Sequence, residues 1–361
     1  MTDLLSRLLN ERDWLLADGA TGTNLFALGL EHGDSPETWN LRYPERVKQH
    51  YRSFLEAGSD IILTNTFGGT RNRLKLHGAQ EQVAEINGAA ARLAREEVAK
   101  LDRPAVVAGS MGPTGDLFQP LGVLTFEDGK AAFAEQAAAL AAGGVDVLWI
   151  ETISAVDELK AAVAGAATAG LPICCTLSFD TNGRTMMGVT PDQLAQLVHE
   201  MDPRPLAFGG NCGVGAAELV VALTNMAQVL EPGDVLIAKS NCGIPEWVGD
   251  RIEYNGTPEL MADYARLARD CGARIIGGCC GTTPEHIRVM REALETYTPD
   301  GVPSIETIIA RLGEISTGAQ AQSLSGPSAL PTGEAETAGG RRRRGGRARR
   351  EETGDETPPK F

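Results

Sequence analysis

No run of about 18 consecutive apolar residues occurs in this 361-residue sequence, so no segment is long enough to cross a bilayer as a helix. The N-terminus, MTDLLSRLLNERDWLLADG, breaks every apolar run with Asp3, Arg7, Glu11, Arg12 or Asp13 and offers no signal-peptide core. Aromatic residues are scarce, at 5%, which limits the rings available to enclose a ligand. Positive charge is in deficit: 33 Lys and Arg against 48 Asp and Glu leave a net charge of -15, which disfavours nucleic acid and anionic membranes as partners of the folded body. The five histidines, His32, His50, His77, His199 and His286, form no HxH or HExxH pair, the usual ligand pattern of a zinc hydrolase. No Gly-rich dinucleotide fingerprint follows the first strand, and no DxHxxG pattern for cobalamin is present. A soluble cytoplasmic protein is the expectation.

What is present is enough for one large core, with 42% hydrophobic and 22% charged residues. Eight short aliphatic segments end in small or polar residues: WLLADGATGT, DIILTNTFGG, AVVAGSMGPTG, DVLWIETI, ICCTLSFD, LAFGGNCG, DVLIAKSNCG and ARIIGGCCGT. They read as buried parallel strands. Between them lie stretches of helical periodicity, among them 44–57, 80–100, 125–142, 191–199 and 258–270. Thr190-Pro191, Thr257-Pro258 and Thr283-Pro284 place a capping Thr before a Pro suited to the first helical turn. Strands alternating with helices predict an α/β fold, a (β/α)8 TIM barrel over residues 1–316, with its chemistry at the C-terminal strand ends. Composition changes at 317–361 to Gly, Ser, Ala, Pro and Glu, with the run RRRRGGRARR, and predicts a disordered tail. The arginines suit RNA or an acidic partner, but neighbouring Glu351, Glu352, Asp355 and Glu356 offset them and favour a merely solubilising tail.

Seven cysteines, an odd number without an export signal, read as thiols or metal ligands rather than disulfides. Cys279 and Cys280 are adjacent, and neighbouring side chains on a regular strand face opposite ways. Both reach one ion only if the backbone departs from strand geometry, which Gly277, Gly278 and Gly281 permit. Cys212, in GGNCGVG, ends the sixth strand. Three thiolates suit one Zn(II) per chain with a fourth position left for a substrate thiol. On spacing alone, metal ligation and simple packing stand level for these three. Cys174, Cys175 and Cys271 read as packing residues, and Cys242 as packing or support for the site.

These motifs resemble the homocysteine S-methyltransferase family, which includes betaine-homocysteine methyltransferases and the homocysteine module of cobalamin-dependent methionine synthase. DGATGTNL, TNTFGGT, ETI, GGNCG and GGCCGT carry the resemblance over roughly residues 10–300. It implies Cys212, Cys279 and Cys280 as zinc ligands and Asp18 and Glu151 as receivers of the homocysteine amino group. The amides of Gly19, Ala20 and Thr21 suit the substrate carboxylate as an anion nest. Homocysteine would bind as a zinc thiolate and take a methyl group by direct displacement, giving methionine. Asn211, Asn241, Thr64 and Asn65 have structural and substrate-contacting readings of equal weight. The donor stays open among betaine, a methylated corrinoid on a separate protein, and a sulfonium. Trp39, Tyr43 and Phe67 are the rings available for a quaternary ammonium, yet Thr152 stands where the betaine enzymes typically place Tyr. The alternatives are the homocysteine component of a split cobalamin-dependent synthase, or a non-enzymatic module acting through its Arg-rich tail. The polar tail suggests a monomer or weak dimer.

Overall fold

The computed structural model describes residues 3–243, 245–248 and 251–323. Its strands are β1 (Leu15–Leu16), β2 (Ile61–Leu63), β3 (Val106–Met111), β4 (Val147–Ile153), β5 (Ile173–Leu177), β6 (Ala207–Cys212), β7 (Leu236–Ser240), β8 (Pro245–Val248), β9 (Arg251–Tyr254) and β10 (Ala273–Gly278). Eight of them pair in parallel in the order β1-β10-β7-β6-β5-β4-β3-β2. The two ends meet through a bridge between Ala17 and Ile61, with Asp18 N–H donating to Ile61 at 3.0 Å. The expected eight-stranded barrel is therefore formed. The segment after β7 adds an antiparallel hairpin, β8–β9, that the strand count did not anticipate.

Alternation explains the core. Leu15, Ile61, Val106, Val147, Cys174, Ala207 and Ile275 lie in one buried cluster with Leu5, Leu8 and Leu9 of the helix Leu4–Glu11. Those three leucines share one helical face, and each contributes about 1.5–3 kcal/mol by full burial. The helix, capped by Asp3, plugs the N-terminal end of the barrel. Below β2, the buried carboxylate of Asp60 receives Arg12 and Arg291 at 2.7 Å each and lies 3.5 Å from Arg103. It also accepts Leu16 N–H at 3.0 Å, tying the N-terminal segment to the helix Pro284–Glu295.

The helices start where Thr-Pro predicts. Pro191, Pro258 and Pro284 open helices, and Thr190 and Thr257 accept the N–H of Gln193 and Leu260. Thr283 instead engages the ring of His286, its hydroxyl 2.7 Å from Nδ1. Past residue 316 the helix Thr317–Ser323 continues the ordered body: Ala319 is fully buried against Gly183, and Ser316 N–H donates to Glu218. Small residues that look like low complexity in sequence are what this close packing needs. The rest of the polar tail, including the Arg run, lies outside the described residues.

Candidate active site

The barrel brings Cys212, Cys279 and Cys280 together, with their sulfurs all within 4.8 Å of one another. Asn211 points inward, so a regular strand would turn Cys212 away; a left-handed φ of 58° turns its sulfur back to 3.8 Å from Cys280 Sγ. Beyond β10, a side chain at Gly278 would sit 2.2 Å from Thr282 Oγ1, and Gly281 adopts φ 79°. Those glycines let the chain fold back so that both adjacent cysteines face the mouth. The cluster holds its charge unevenly. Hydrogen bonds from Cys212 and then Cys279 draw the Cys280 thiol well below its ordinary value, while hydrogen bonds to Cys279 and Cys280 drive Cys212 up. Tyr254, delivered by the β8–β9 hairpin, also hydrogen-bonds to Cys280. Three clustered sulfurs of this kind are a donor set for a soft or borderline metal ion.

The other cysteines stay apart from this cluster. Cys174 and Cys175 are buried in β5, where burial pushes the Cys175 thiol up to about 12. Cys271 is buried behind the helix Pro258–Asp270. Cys242 packs beside the site, its sulfur 3.2 Å from His286 Nε2.

A cavity of about 360 Å³ opens onto the three sulfurs and is also lined by Glu151, Lys239, Phe26 and Phe67. Glu151 accepts the hydroxyl of Ser110 at Oε1. Burial, followed by the neighbouring Cys279 charge, raises its carboxyl to about 7, against the opposing pull of Lys239. Its aim comes from a bulge: three residue steps on β4, from Ile150 to Ile153, match two on β5, from Cys175 to Leu177. Thr152 takes φ 63°, an unfavourable region for a β-branched residue. Asn211 holds it there: Oδ1 accepts Thr152 N–H at 2.9 Å and Thr176 Oγ1 at 2.7 Å, and Nδ2 donates to Thr152 Oγ1 at 2.7 Å. Of its two readings, Asn211 is structural, although its amide also reaches Cys279 Sγ at 3.9 Å.

Asp18 lies just behind the cavity wall. Its Oδ1 accepts Lys239 Nζ at 2.7 Å and its Oδ2 accepts Leu63 N–H at 2.7 Å. Burial pushes the Asp18 carboxyl up and Lys239 counteracts it. Gly19, Ala20 and Thr21 do line the cavity, but Ala20 N–H is already given to Thr282 O at 3.2 Å. A side chain at Gly19 would approach that same carbonyl to 2.7 Å. Asn241 donates to Gly213 O and shapes a loop, whereas Thr64, paired with Thr66, and Asn65, bonded to Asn40 and Pro36, also line the cavity. Of the aromatic candidates, Phe67 lines the cavity, whereas Trp39 and Tyr43 pack on each other at 4.9 Å beneath Arg46. Sequence reasoning missed Lys239, Phe26, Glu37 and Tyr254, whereas Ser110, at the polar end of the third strand, lies where the barrel puts its chemistry. For Lys239 the signal was a lone charge inside the aliphatic segment DVLIAKSNCG, where a buried lysine demands a partner.

A parallel barrel with three convergent thiols at its mouth carries the donor set of a thiol-ligated metal site at the end where this fold places its chemistry. Residues 15–294 match the homocysteine S-methyltransferase family, and the chain belongs to that family. It is accordingly a methyltransferase acting on homocysteine. Among solved structures, the metallated form of the homocysteine methyltransferase MmuM from Escherichia coli is similar at 25% identity and a TM-score of 0.67, covering 80% of this chain and 99% of that one. The oxidised form of the same enzyme matches at 26% identity and a TM-score of 0.67, over 81% of this chain and 99% of that one. No helix among the described residues is long and apolar enough to cross a membrane.

Proposed function

We propose that the protein transfers a methyl group from a small methylated cation to the sulfur of homocysteine, forming methionine, with zinc held by Cys212, Cys279 and Cys280. The observation carrying this reading is one cavity that joins the three sulfurs to the exposed rings of Phe26 and Phe67 and to the buried Glu37. Tetrahedral ligands about 2.3 Å from zinc stand about 3.8 Å apart, which is the separation of Cys212 and Cys280. Zinc bound there supplies a Lewis acid that favours the thiolate form of the acceptor. Glu151 receives the substrate ammonium in a partly dry pocket. Phe26 and Phe67 supply the aromatic lining that a methylated cation favours, and the Glu37 carboxylate adds negative potential. Sulfur attacks the methyl carbon as the bond to the donor heteroatom breaks, and the donor leaves as a neutral amine or sulfide. No general base is needed. A corrinoid is too large for a cavity of about 360 Å³ and would have to dock across the mouth on another protein. Seven free thiols support a reducing compartment, the cytoplasm.

The test is mass-spectrometric detection of methionine from zinc-loaded protein, homocysteine, and glycine betaine or S-methylmethionine as donor. Turnover with either cation, lost together with bound zinc in Cys280→Ser, is expected. Turnover only with a methylated corrinoid protein would overturn the donor assignment. A fully active zinc-free Cys280→Ser variant would overturn the metal assignment.

A further inference from the structure

We infer that Lys239 anchors the α-carboxylate of homocysteine, opposite Glu151, which takes the ammonium. The inference rests on homocysteine being the acceptor. An amino acid enters such a pocket as a zwitterion, and each of its charges needs an opposite charge where water is excluded. Among the described residues lining the cavity, the charged side chains are Glu37, Glu151 and Lys239, so Lys239 is the one cation. Both oxygens of Glu37 are engaged, one by Gly68 N–H at 2.7 Å and the other by Ser35 Oγ at 2.7 Å. Glu151 has only Oε1 occupied, by Ser110.

Lys239 is 2% exposed and in register with Asn211 on one side and Gly277 on the other, which places it among the site residues. An ammonium has three donors. Two go to Asp18, to its carbonyl at 2.9 Å and to Oδ1 at 2.7 Å, leaving one for the cavity. A substrate ammonium set against Asp18 would stand beside the Lys239 ammonium and be repelled. A substrate carboxylate there completes the hydrogen bonding of Lys239 instead. Of the loop amides, that of Ala20 is already committed to Thr282, so the loop carries no charge and fewer donors for a carboxylate than the three-amide nest would. Asp18 then acts through Lys239, fixing its position, rather than by touching substrate.

The experiment compares homocysteine with its decarboxylated analogue, the thiol amine that lacks only the carboxylate. Lys239→Met alone would strand the Asp18 charge, so it is combined with Asp18→Asn, which still accepts Leu63 N–H. In this double variant the KM for homocysteine should rise by about tenfold to a hundredfold, the loss of one charged hydrogen bond. The KM for the decarboxylated analogue should stay at its wild-type value, and zinc content should be retained. An equal rise for both thiols, or no rise for either, would overturn the inference. If the double variant does not fold, Lys239→Arg takes its place: a shift in KM for homocysteine alone supports the anchor, and an equal shift for both refutes it. Wild-type protein that methylates neither thiol would refute the acceptor assignment, a failure distinct from these.

Discussion

Asn211→Ala removes three hydrogen bonds at once, those with Thr152 N–H, Thr152 Oγ1 and Thr176 Oγ1. Thr176 is fully buried, so its stranded hydroxyl costs about 1–3 kcal/mol. Thr152 is only half-buried and can turn to cavity water, so its two bonds contribute about 0.5–1.5 kcal/mol each. Against this, Thr152 is released from φ 63° and recovers roughly 1 kcal/mol of backbone strain. The balance is a destabilisation of about 1–5 kcal/mol, measurable by urea unfolding followed by circular dichroism. Thr152→Gly tolerates the same φ without a side chain, loses one hydrogen bond and should change stability by less than about 1 kcal/mol. Because both substitutions act on one strained unit, their effects should combine to less than their sum. Asn211→Ala unfolding within about 0.5 kcal/mol of wild type, or strict additivity with Thr152→Gly, would refute this account of how Glu151 is aimed.

His50 is buried with both ring nitrogens unpartnered, and burial lowers its pKa from 6.5 to about 4. The unfolded chain therefore takes up a proton between these values while the folded chain does not, so stability falls as pH drops, by roughly 3 kcal/mol across the window. His50→Leu should flatten the pH dependence of urea unfolding in that window, and equal slopes for both proteins would refute the assignment. Asp60→Ala leaves Arg12, Arg103 and Arg291 without their shared carboxylate and should cost about 3–5 kcal/mol in thermal unfolding, with zinc content unchanged. A large loss of zinc in that variant would contradict the separation of the two barrel ends.

The barrel and its thiols were legible because both leave local marks. Aliphatic runs ending in polar residues announce parallel strands, and paired cysteines among glycines allow a backbone bend that turns both thiols to one mouth, while the choice between ligation and packing came only with the family motifs. The pairing of Lys239 with Asp18 left no such mark, since it joins residues 221 positions apart through the register of two strands that meet only when the barrel closes. The left-handed turns at Cys212 and Thr152 were equally hidden, because neither residue type favours that conformation and only the surrounding contacts impose it. The helix Thr317–Ser323 was masked by composition, its small residues serving contact rather than flexibility.

The leucine-faced helix Leu4–Glu11 and the strand side chains it packs against close the far end of the barrel. On the proposed function, homocysteine at the three sulfurs would lie beneath the approach that Phe26 and Phe67 flank, rings that remain 44% and 37% exposed. Traffic would then be first in, last out: the acceptor would enter before the donor, the spent donor would depart before methionine, and excess donor binding to the empty enzyme would block the way in. On that reading the order of a two-substrate reaction would follow from a core packed shut at the far end of the barrel.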